Sequence, residues 1–225
     1  MLEAKKSVWF EKIFAAYNSN LLRRRFNSLQ VSGLDFLHKR DKNLPLLIYA
    51  NHSSWWDGLV AFQISREVKL DSFWMMEEKH LRKLGLFRKL GAFSIVREKP
   101  REAIKSINYA ADILQKKPNR AVWIFPQGEI LPNDIRPLNF YNGLSKAIEK
   151  VRNCYAARIA MRFEFLGEFK PDIFVKIDEP EIFSEDENFV SKKATGIFEE
   201  KLTETLDTLK AQVLTNNLGD YQNIF

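Results

Sequence analysis

Several residue types are scarce in this chain, and their scarcity restricts what it can be. Its 225 residues include one cysteine, Cys154, and three histidines. A single thiol cannot form an internal disulfide, which favours a reducing compartment. No apolar run approaches the roughly 18 to 20 residues of a spanning helix, and residues 1–6 do not lead into the apolar stretch of a signal peptide. We therefore expect an intracellular, non-transmembrane protein that folds as one domain with a short appendage.

Positive charge is in excess but unevenly distributed. The net charge is +6, yet residues 1–177 hold 31 bases and 18 acids (+13), whereas residues 178–225 hold 4 bases and 11 acids (−7). Aromatic residues make up 13% of the chain. A basic, aromatic-rich body suits an anionic partner, either a phospholipid surface or a nucleic acid. The acidic C-terminal stretch and the lack of a nucleic-acid-binding motif argue against nucleic acid.

Residues 7–26 are predicted to form an amphipathic helix. Large apolar side chains recur there at spacings of three and four: Trp9, Ile13, Phe14, Tyr17 and Leu21. Asn18, Asn20 and the arginines at 23–25 are expected to lie away from this stripe or at its end. Two interpretations stay open, an ordinary helix packed on the core or an interfacial helix with its arginines at lipid headgroups. We divide the chain accordingly into residues 1–30, an amphipathic helix and candidate membrane anchor, and residues 31–225, the main domain.

Strands and helices alternate along the main domain. Apolar runs predict strands at 44–49, 68–76, 93–97, 121–125, 155–165 and 172–177. Helices are predicted after His52 and at 77–89, 100–115, 138–151 and near the C-terminus. This alternation is typical of an α/β fold, and we expect a single-domain sandwich with a largely parallel sheet flanked by helices.

His52 is the histidine best placed for chemistry, because it follows a predicted strand at the edge where α/β folds carry functional groups. Asp57 lies five residues later, a spacing that does not match a zinc-binding helix. If Asp57 occupies the first turns of the next helix, its carboxylate can fold back, fix the imidazole tautomer and make the other ring nitrogen a better base. Taken alone, the pair is better explained by a structural histidine. His38 and His80 are expected to be exposed.

Four short sequence blocks favour a catalytic role for His52 and Asp57 over a structural one. They are N-H-S-S-W-W-D-G at 51–58, G-A-F-S-I-V-R at 91–97, F-P-Q-G at 125–128 and F-Y-N-G at 140–143. Their order and spacing resemble the glycerolipid acyltransferases, the family that includes lysophosphatidate acyltransferase. The resemblance runs from about residue 44 to about residue 178.

The resemblance implies a mechanism and an acceptor site. His52 would deprotonate an acceptor hydroxyl as it attacks an acyl thioester, and Asp57 would orient His52. The implied substrate-binding residues are Arg97 and the third block with its successor: Phe125, Pro126, Gln127, Gly128 and Glu129. Charge that develops on the thioester oxygen needs donors, and backbone N–H groups near Gly128 are candidates because glycine permits close approach.

The third block departs from the family pattern. Gln127 stands where the family usually has glutamate, and Glu129 and Ile130 stand where it has threonine and arginine. The fourth block usually carries a proline, and residues 154–165 have none. A carboxylate at Glu129 would repel a phosphate unless it is paired. The catalytic half of the pattern is therefore intact and the acceptor half is altered.

We therefore expect an acyltransferase that moves a fatty acyl group from acyl-CoA or acyl-carrier protein to a hydroxyl of a lysophospholipid or lysophosphatidate. The alternative acceptor is a non-phosphorylated lipid such as a glycosylated terpenoid, and a non-catalytic membrane-binding protein is a weaker alternative. No metal or further cofactor is expected. The expected location is the cytoplasmic side of the cell membrane, as a peripheral protein of phospholipid biosynthesis that binds a phospholipid surface and no nucleic acid.

Overall fold

A mixed sheet with helices on both faces organises the chain. The computed structural model describes residues 1–184 and 189–225; residues 185–188, with three of the acidic residues counted above, lie outside the description. The elements in chain order are α1 (Val8–Arg25), β1 (Leu29–Ser32), α2 (Leu34–Lys39), β2 (Leu46–Ala50), α3 (Asp57–Glu67), β3 (Asp71–Glu77), α4 (Glu78–Lys83), a 3-10 helix (Gly85–Leu90), β4 (Ala92–Ile95), α5 (Pro100–Gln115), β5 (Arg120–Ile124), α6 (Gly143–Val151), β6 (Cys154–Glu164), β7 (Asp172–Ile177), β8 (Glu181–Phe183), α7 (Ser191–Leu214) and β9 (Gln222–Asn223).

The strand order is β4-β3-β5-β2-β6-β7-β1-β9, with β8 paired to β6. Neighbours from β4 to β6 are parallel, and so are β1 and β7. β7 and β8 run antiparallel to β6, and β9 runs antiparallel to β1. The predicted α/β class with a largely parallel sheet is therefore confirmed. β2 lies between β5 and β6, near the middle of the whole sheet, so its carboxyl end opens near the centre of one sheet edge.

The core has two layers because alternate residues of each strand point to opposite faces of the sheet. In β2, Leu47 and Tyr49 pack with α5, α6 and α7, whereas Leu46, Ile48 and Ala50 pack with α1, α2 and α3. All five are buried. A strand covered on both faces explains why this segment is an uninterrupted apolar run in the sequence.

Three predicted elements differ from the structure by more than two residues. Residues 68–70 close α3 instead of opening a strand, because Lys69 takes a left-handed conformation (φ 54°) and turns the chain before β3. The helix predicted at 77–89 is divided into α4 and the 3-10 helix, which begins at Gly85. The helix predicted from 138 starts only at Gly143. Upstream of it, the N–H of Tyr141 donates to the carbonyl of Pro126 at 2.9 Å, a contact that a helix there would prevent.

The N-terminal helix packs on the body and also exposes apolar side chains. Asn18 and Leu22 are fully buried, and the Asn18 amide donates to the carbonyl of Leu59 at 3.1 Å. Asn18 was expected to lie away from the apolar stripe or at its end, and the structure has it on the packed face of α1. Trp9 and Tyr17, from the predicted stripe, are 72% and 59% exposed. The stripe is thus divided between two faces of α1, and the division of the chain at residue 30 falls inside β1. None of the described helices is long and apolar enough to cross a membrane.

The segment before α1 is bound to the sheet by hydrogen bonds and an ion pair. The N–H of Ser94 in β4 donates to the carbonyl of Leu2 at 2.9 Å, and the Lys6 ammonium donates to Asp71 at 2.6 Å. Arg120 donates to the other oxygen of Asp71 at 3.1 Å. Burial by itself would raise the pKa of Asp71, but the hydrogen bonds and charges of these two cations outweigh it and hold the pKa below its ordinary value.

Candidate active site

The turn between β2 and α3 is attached to the sheet by a side chain. Asn51, the first residue after β2, donates to the carbonyl of Met161 at 2.9 Å and accepts from the N–H of Met161 at 2.8 Å. Since Met161 lies in β6, the Asn51 amide takes the place of a strand residue in the ladder after the backbone has turned away. The next residue, His52, is thereby placed over the carboxyl edge of the sheet.

His52 and Asp57 form a close pair. One oxygen of Asp57, Oδ2, lies 2.8 Å from His52 Nδ1 and also accepts the backbone N–H groups of Ser53 and Ser54 at 2.7 and 2.8 Å. Asp57 is fully buried, and its other oxygen has no hydrogen-bond partner among the described residues. A carboxylate acceptor requires the proton on Nδ1, which leaves Nε2 as the free basic nitrogen. The carboxylate of Asp57 therefore does fold back to the imidazole of His52, as the five-residue spacing suggested.

Two residues of the third block, Gln127 and Phe125, contact His52 and help to fix its position. Gln127 is 3% exposed, and its Oε1 accepts the backbone N–H of His52 at 2.7 Å. The Phe125 ring stacks on the imidazole at 4.6 Å between centroids. Gln127 was predicted to bind substrate, but in the structure it contacts the backbone of His52 and does not line the cavity described below. The change from the family's glutamate does not remove this support, because either side chain presents an acceptor oxygen.

A cavity of about 520 Å³ opens beside His52. Its wall is largely apolar and includes Phe14, Phe62, Trp74, Leu84, Phe87 and Ile107. Phe14 comes from α1 and contacts the rings of Phe62 and Phe87 edge-on, at 5.0 and 6.1 Å. The N-terminal helix is therefore part of the cavity wall as well as part of the surface.

Arg97 enters the same cavity but already has an anionic partner. Its Nε donates to Glu77 at 2.7 Å, and both side chains are largely buried. The guanidinium also lies 4.9 Å from the ring centre of Tyr141. Gly128 has φ +71°, and a Cβ there would meet Arg97 Nη1 at 2.1 Å. Only glycine lets the third block approach Arg97 this closely.

The charged side chains that line the cavity balance one another. Within the described part of the chain they are the carboxylates Glu77 and Glu129 and the cations Lys79 and Arg97. Glu129 is exposed at the cavity edge. The site therefore offers a phosphate no excess of positive charge.

The N–H of Gly128 is not free to stabilise an oxyanion. It donates to the carbonyl of Phe125 at 3.0 Å and closes the turn of the third block. Any oxyanion donor must therefore come from another group at this edge.

The structure brings most of the predicted site residues together at one sheet edge: His52, Asp57, Arg97, Phe125, Gln127, Gly128 and Glu129. Pro126 also lines the cavity. Sequence reasoning missed Glu77, Asn51 and Phe14. Glu77 is the last residue of β3, and a carboxylate at the carboxyl end of a predicted strand is the signal that could have identified it. His38 and His80 are exposed as expected, and Cys154 is buried. Among the described residues, no group of three or more His, Cys, Asp or Glu is placed to hold a metal ion.

Fold and site together define an α/β enzyme with a histidine–carboxylate pair beside an apolar cavity. A family model described as acyltransferase matches residues 28–162, which are more than half of the chain and contain all four blocks. The chain therefore belongs to the acyltransferase family, the family of glycerolipid acyltransferases, and is an enzyme that acts as an acyltransferase. No curated protein matches the chain.

Proposed function

We propose that this enzyme transfers a fatty acyl group from acyl-CoA or acyl-carrier protein to a hydroxyl of a lipid, with His52 as general base and Asp57 as its orienting partner. The observation that carries the proposal is the 2.8 Å contact between His52 Nδ1 and Asp57 Oδ2, beside a largely apolar cavity. The contact leaves Nε2 to take a proton.

The reaction proceeds in two steps. His52 Nε2 takes the proton of the acceptor hydroxyl while the hydroxyl oxygen attacks the thioester carbonyl carbon. The tetrahedral intermediate then expels the thiolate, which recovers that proton from the imidazolium, so that an ester and a free thiol are formed. Asp57 stabilises the imidazolium through the charge-assisted hydrogen bond. No side-chain nucleophile and no acyl-enzyme are needed.

The cavity wall supports an acyl chain as the group bound there. Burial of methylene groups against apolar side chains contributes about 0.8 kcal/mol per CH₂, whereas the wall gives a polar ligand few partners. His52 and Arg97 lie on the same cavity, so the thioester end of the chain and the acceptor headgroup would meet between them.

Two acceptor classes remain, and different observations favour them. Membership of the glycerolipid acyltransferase family and the presence of Arg97 support a lysophospholipid or lysophosphatidate, because the Nη atoms of a guanidinium bind phosphate well. The Glu77–Arg97 pair and the balanced lining charge support an uncharged headgroup. A phosphate next to Glu77 and Glu129 would meet two like charges. The charge balance weighs towards the uncharged acceptor.

Peripheral association with the cytoplasmic face of a membrane is supported by α1. Its exposed face carries Trp9, Ile13 and Tyr17, and the exposed arginines at 23–25 follow at its end. Apolar area and headgroup attraction together are what an interfacial helix uses. Deletion of residues 1–27 would also remove Leu22 and Phe26 from the core, so point substitutions on the exposed face are the sound test.

The deciding experiment measures thiol release and acylated product for the full chain with both donors and a panel of phosphorylated and neutral lipid acceptors. Thiol release without any lipid product, or a His52→Ala variant within about threefold of wild type, would reject the mechanism, because loss of a general base costs roughly 10²–10⁴ in rate.

The same panel distinguishes the acceptors. With a phosphorylated acceptor, Arg97→Ala should raise the acceptor KM strongly. With a neutral acceptor, Arg97→Ala should be mild and Glu129→Thr should impair turnover. Glu77→Gln removes the competing carboxylate and should improve use of lysophosphatidate, whereas it should not improve use of a neutral lipid.

A further inference from the structure

The loop between β6 and β7 presents large apolar side chains to solvent. Phe165 is 71% exposed and Phe169 is 98% exposed, with Leu166 about half exposed between them. Gly167 has φ +89°, which turns the chain tightly at the tip of the loop. Complete exposure of a phenylalanine costs the folded chain the burial free energy it would otherwise gain, so a loop of this kind indicates a partner.

The root of the loop lies against the arginines that end α1. Lys170 donates to the carbonyl of Arg23 at 3.3 Å, and the N–H of Asn27 donates to the carbonyl of Pro171 at 2.9 Å. Residues 23–25 are all arginine and all exposed. Three arginines and Lys170 therefore lie near the base of the loop. Of the acids there, Glu164 is paired with Arg162 and Asp172 accepts hydrogen bonds from Asn27 and Ser28, which leaves Glu168 against these four cations. This charge suits an anionic surface.

A row of aromatic rings connects the loop to the cavity. Phe163, just before the loop, lies 5.7 Å from the ring of Phe26, which lies 5.0 Å from Trp56. Trp56 in turn lies 5.8 Å from Trp55, which is 55% exposed and lines the cavity. The parallel pairing of β2 and β6 also directs the loop to the sheet edge that carries His52.

We propose that residues 165–170 insert into an anionic phospholipid bilayer, with Phe165, Leu166 and Phe169 in the apolar layer and the arginines at 23–25 on the headgroups. The aromatic row then directs the cavity opening at Trp55 towards the lipid. A second protein is a poorer occupant, because a stable interface buries roughly 800 Å² per partner and a six-residue loop tip offers far less. The inference rests on the proposed function only in taking the acceptor to be a membrane lipid.

Co-sedimentation of the full chain with vesicles tests the loop. The vesicles are phosphatidylglycerol–phosphatidylcholine mixtures, with pure phosphatidylcholine for comparison. The double variant Phe165→Ser/Phe169→Ser should lower the partition coefficient onto the anionic vesicles by about a hundredfold, since each buried phenylalanine contributes about one factor of ten or slightly more. The matched control is Ile182→Ser/Leu214→Ser, because both side chains are exposed and Ile182 lies at the opposite end of β6. The control should bind as wild type.

A second measurement locates the loop directly. Cys154 is buried, so the thiol of a Phe169→Cys variant can be labelled selectively with an environment-sensitive dye. The dye should move to an apolar environment and be quenched by lipids labelled in their acyl chains when anionic vesicles are added. A dye that stays in water, or a Phe165→Ser/Phe169→Ser variant that co-sediments like wild type, would overturn the proposal. A wild-type dimer that the double variant dissociates would overturn it in favour of a protein interface.

Failure of this inference is separable from failure of the proposed function. The loop variants should keep wild-type turnover on acceptor dispersed in detergent micelles, because none of them touches the site. Insertion without any acyl transfer would reject the function and leave the loop assignment standing. Full transfer from vesicles without insertion would reject the loop assignment alone.

Discussion

Asp57→Asn should reduce kcat less than Asp57→Ala does, and the reason lies in one oxygen. Oδ2 of Asp57 accepts all three N–H groups, from His52, Ser53 and Ser54, while Oδ1 has no partner among the described residues. An asparagine that puts its carbonyl oxygen in the Oδ2 position can keep all three hydrogen bonds. The imidazole tautomer is then preserved, and only the negative charge is lost.

The expected decrease in kcat for Asp57→Asn follows from that geometry. A hydrogen bond to a charged group is worth about 1.5–3 kcal/mol and a neutral one about 0.5–1.5 kcal/mol, so weakening the bond alone costs roughly fivefold to thirtyfold. Loss of the attraction between carboxylate and imidazolium, about 4 kcal/mol for charges about 4 Å apart at an effective dielectric of 20, extends the range to about 10³. Asp57→Ala also frees the tautomer and should approach His52→Ala, at about 10²–10⁴. The asparagine NH₂ would occupy the site of Oδ1 without an acceptor, at about 1–3 kcal/mol of folding stability.

Single-turnover thiol release at saturating donor and acceptor measures the rates, and thermal melts measure the stability separately. Asp35→Asn is the control, because Asp35 is an exposed carboxylate paired to Lys39 away from the site, and it should leave the rate unchanged. The His52→Ala/Asp57→Asn double variant should be no slower than His52→Ala alone, since both act on one proton transfer. Equal rates for Asp57→Asn and Asp57→Ala would refute the shared-oxygen reasoning. A wild-type rate for Asp57→Asn would show that its charge is not used.

Gln127→Glu should keep activity within a few-fold. Gln127→Leu leaves the His52 N–H without its acceptor, so it should lower kcat and also lower the melting temperature, with a loss of about 1–3 kcal/mol in folding stability. Gly128→Ala should raise the KM of a phosphorylated acceptor, because the new Cβ displaces the Arg97 guanidinium, and should change the KM of a neutral acceptor little; an unchanged KM for lysophosphatidate would contradict a role of Arg97 in binding its phosphate. Burial raises the pKa of the Cys154 thiol to about 12, so mass spectrometry should find no alkylation at pH 8 until the protein is denatured. Because the pKa of Asp71 is lowered in the fold, its stabilising effect is present above the unfolded pKa of about 3.9 and lost as pH falls through the folded value. Asp71→Asn should therefore lower the melting temperature at pH 7 and lose this effect at strongly acidic pH.

The parts of the fold that could be predicted from sequence are those with strong local signals. α5 was predicted to the residue, because Pro100 opens it and a regular apolar face continues to its end. β2 was predicted within two residues because it is covered on both faces. β1 and β9 were missed because four and two residues carry no periodicity, and each exists only through its pairing partners.

In the candidate site, too, the contacts between residues close in sequence could be predicted and the long-range contacts could not. His52 and Asp57 are five residues apart, so a short motif contains their whole relation. Glu77 and Arg97 are twenty residues apart and become neighbours through the pairing of β3 with β4, and Phe14 reaches the cavity only through the packing of α1. Such contacts are set by tertiary structure, and spacing alone does not indicate them.

The Asn51–Met161 contact makes one amide proton a sensor for movement of the turn that carries His52. The N–H of Met161 is protected by a side chain from that turn and not by a neighbouring strand's backbone. Its hydrogen-exchange rate therefore measures how often the segment that carries His52 lifts from the sheet, separately from opening of the sheet itself. The amides of β6 that are paired with strands provide the reference rate within the same molecule. A ligand that orders the site should slow the Met161 amide selectively, which allows occupancy to be followed without a substrate assay.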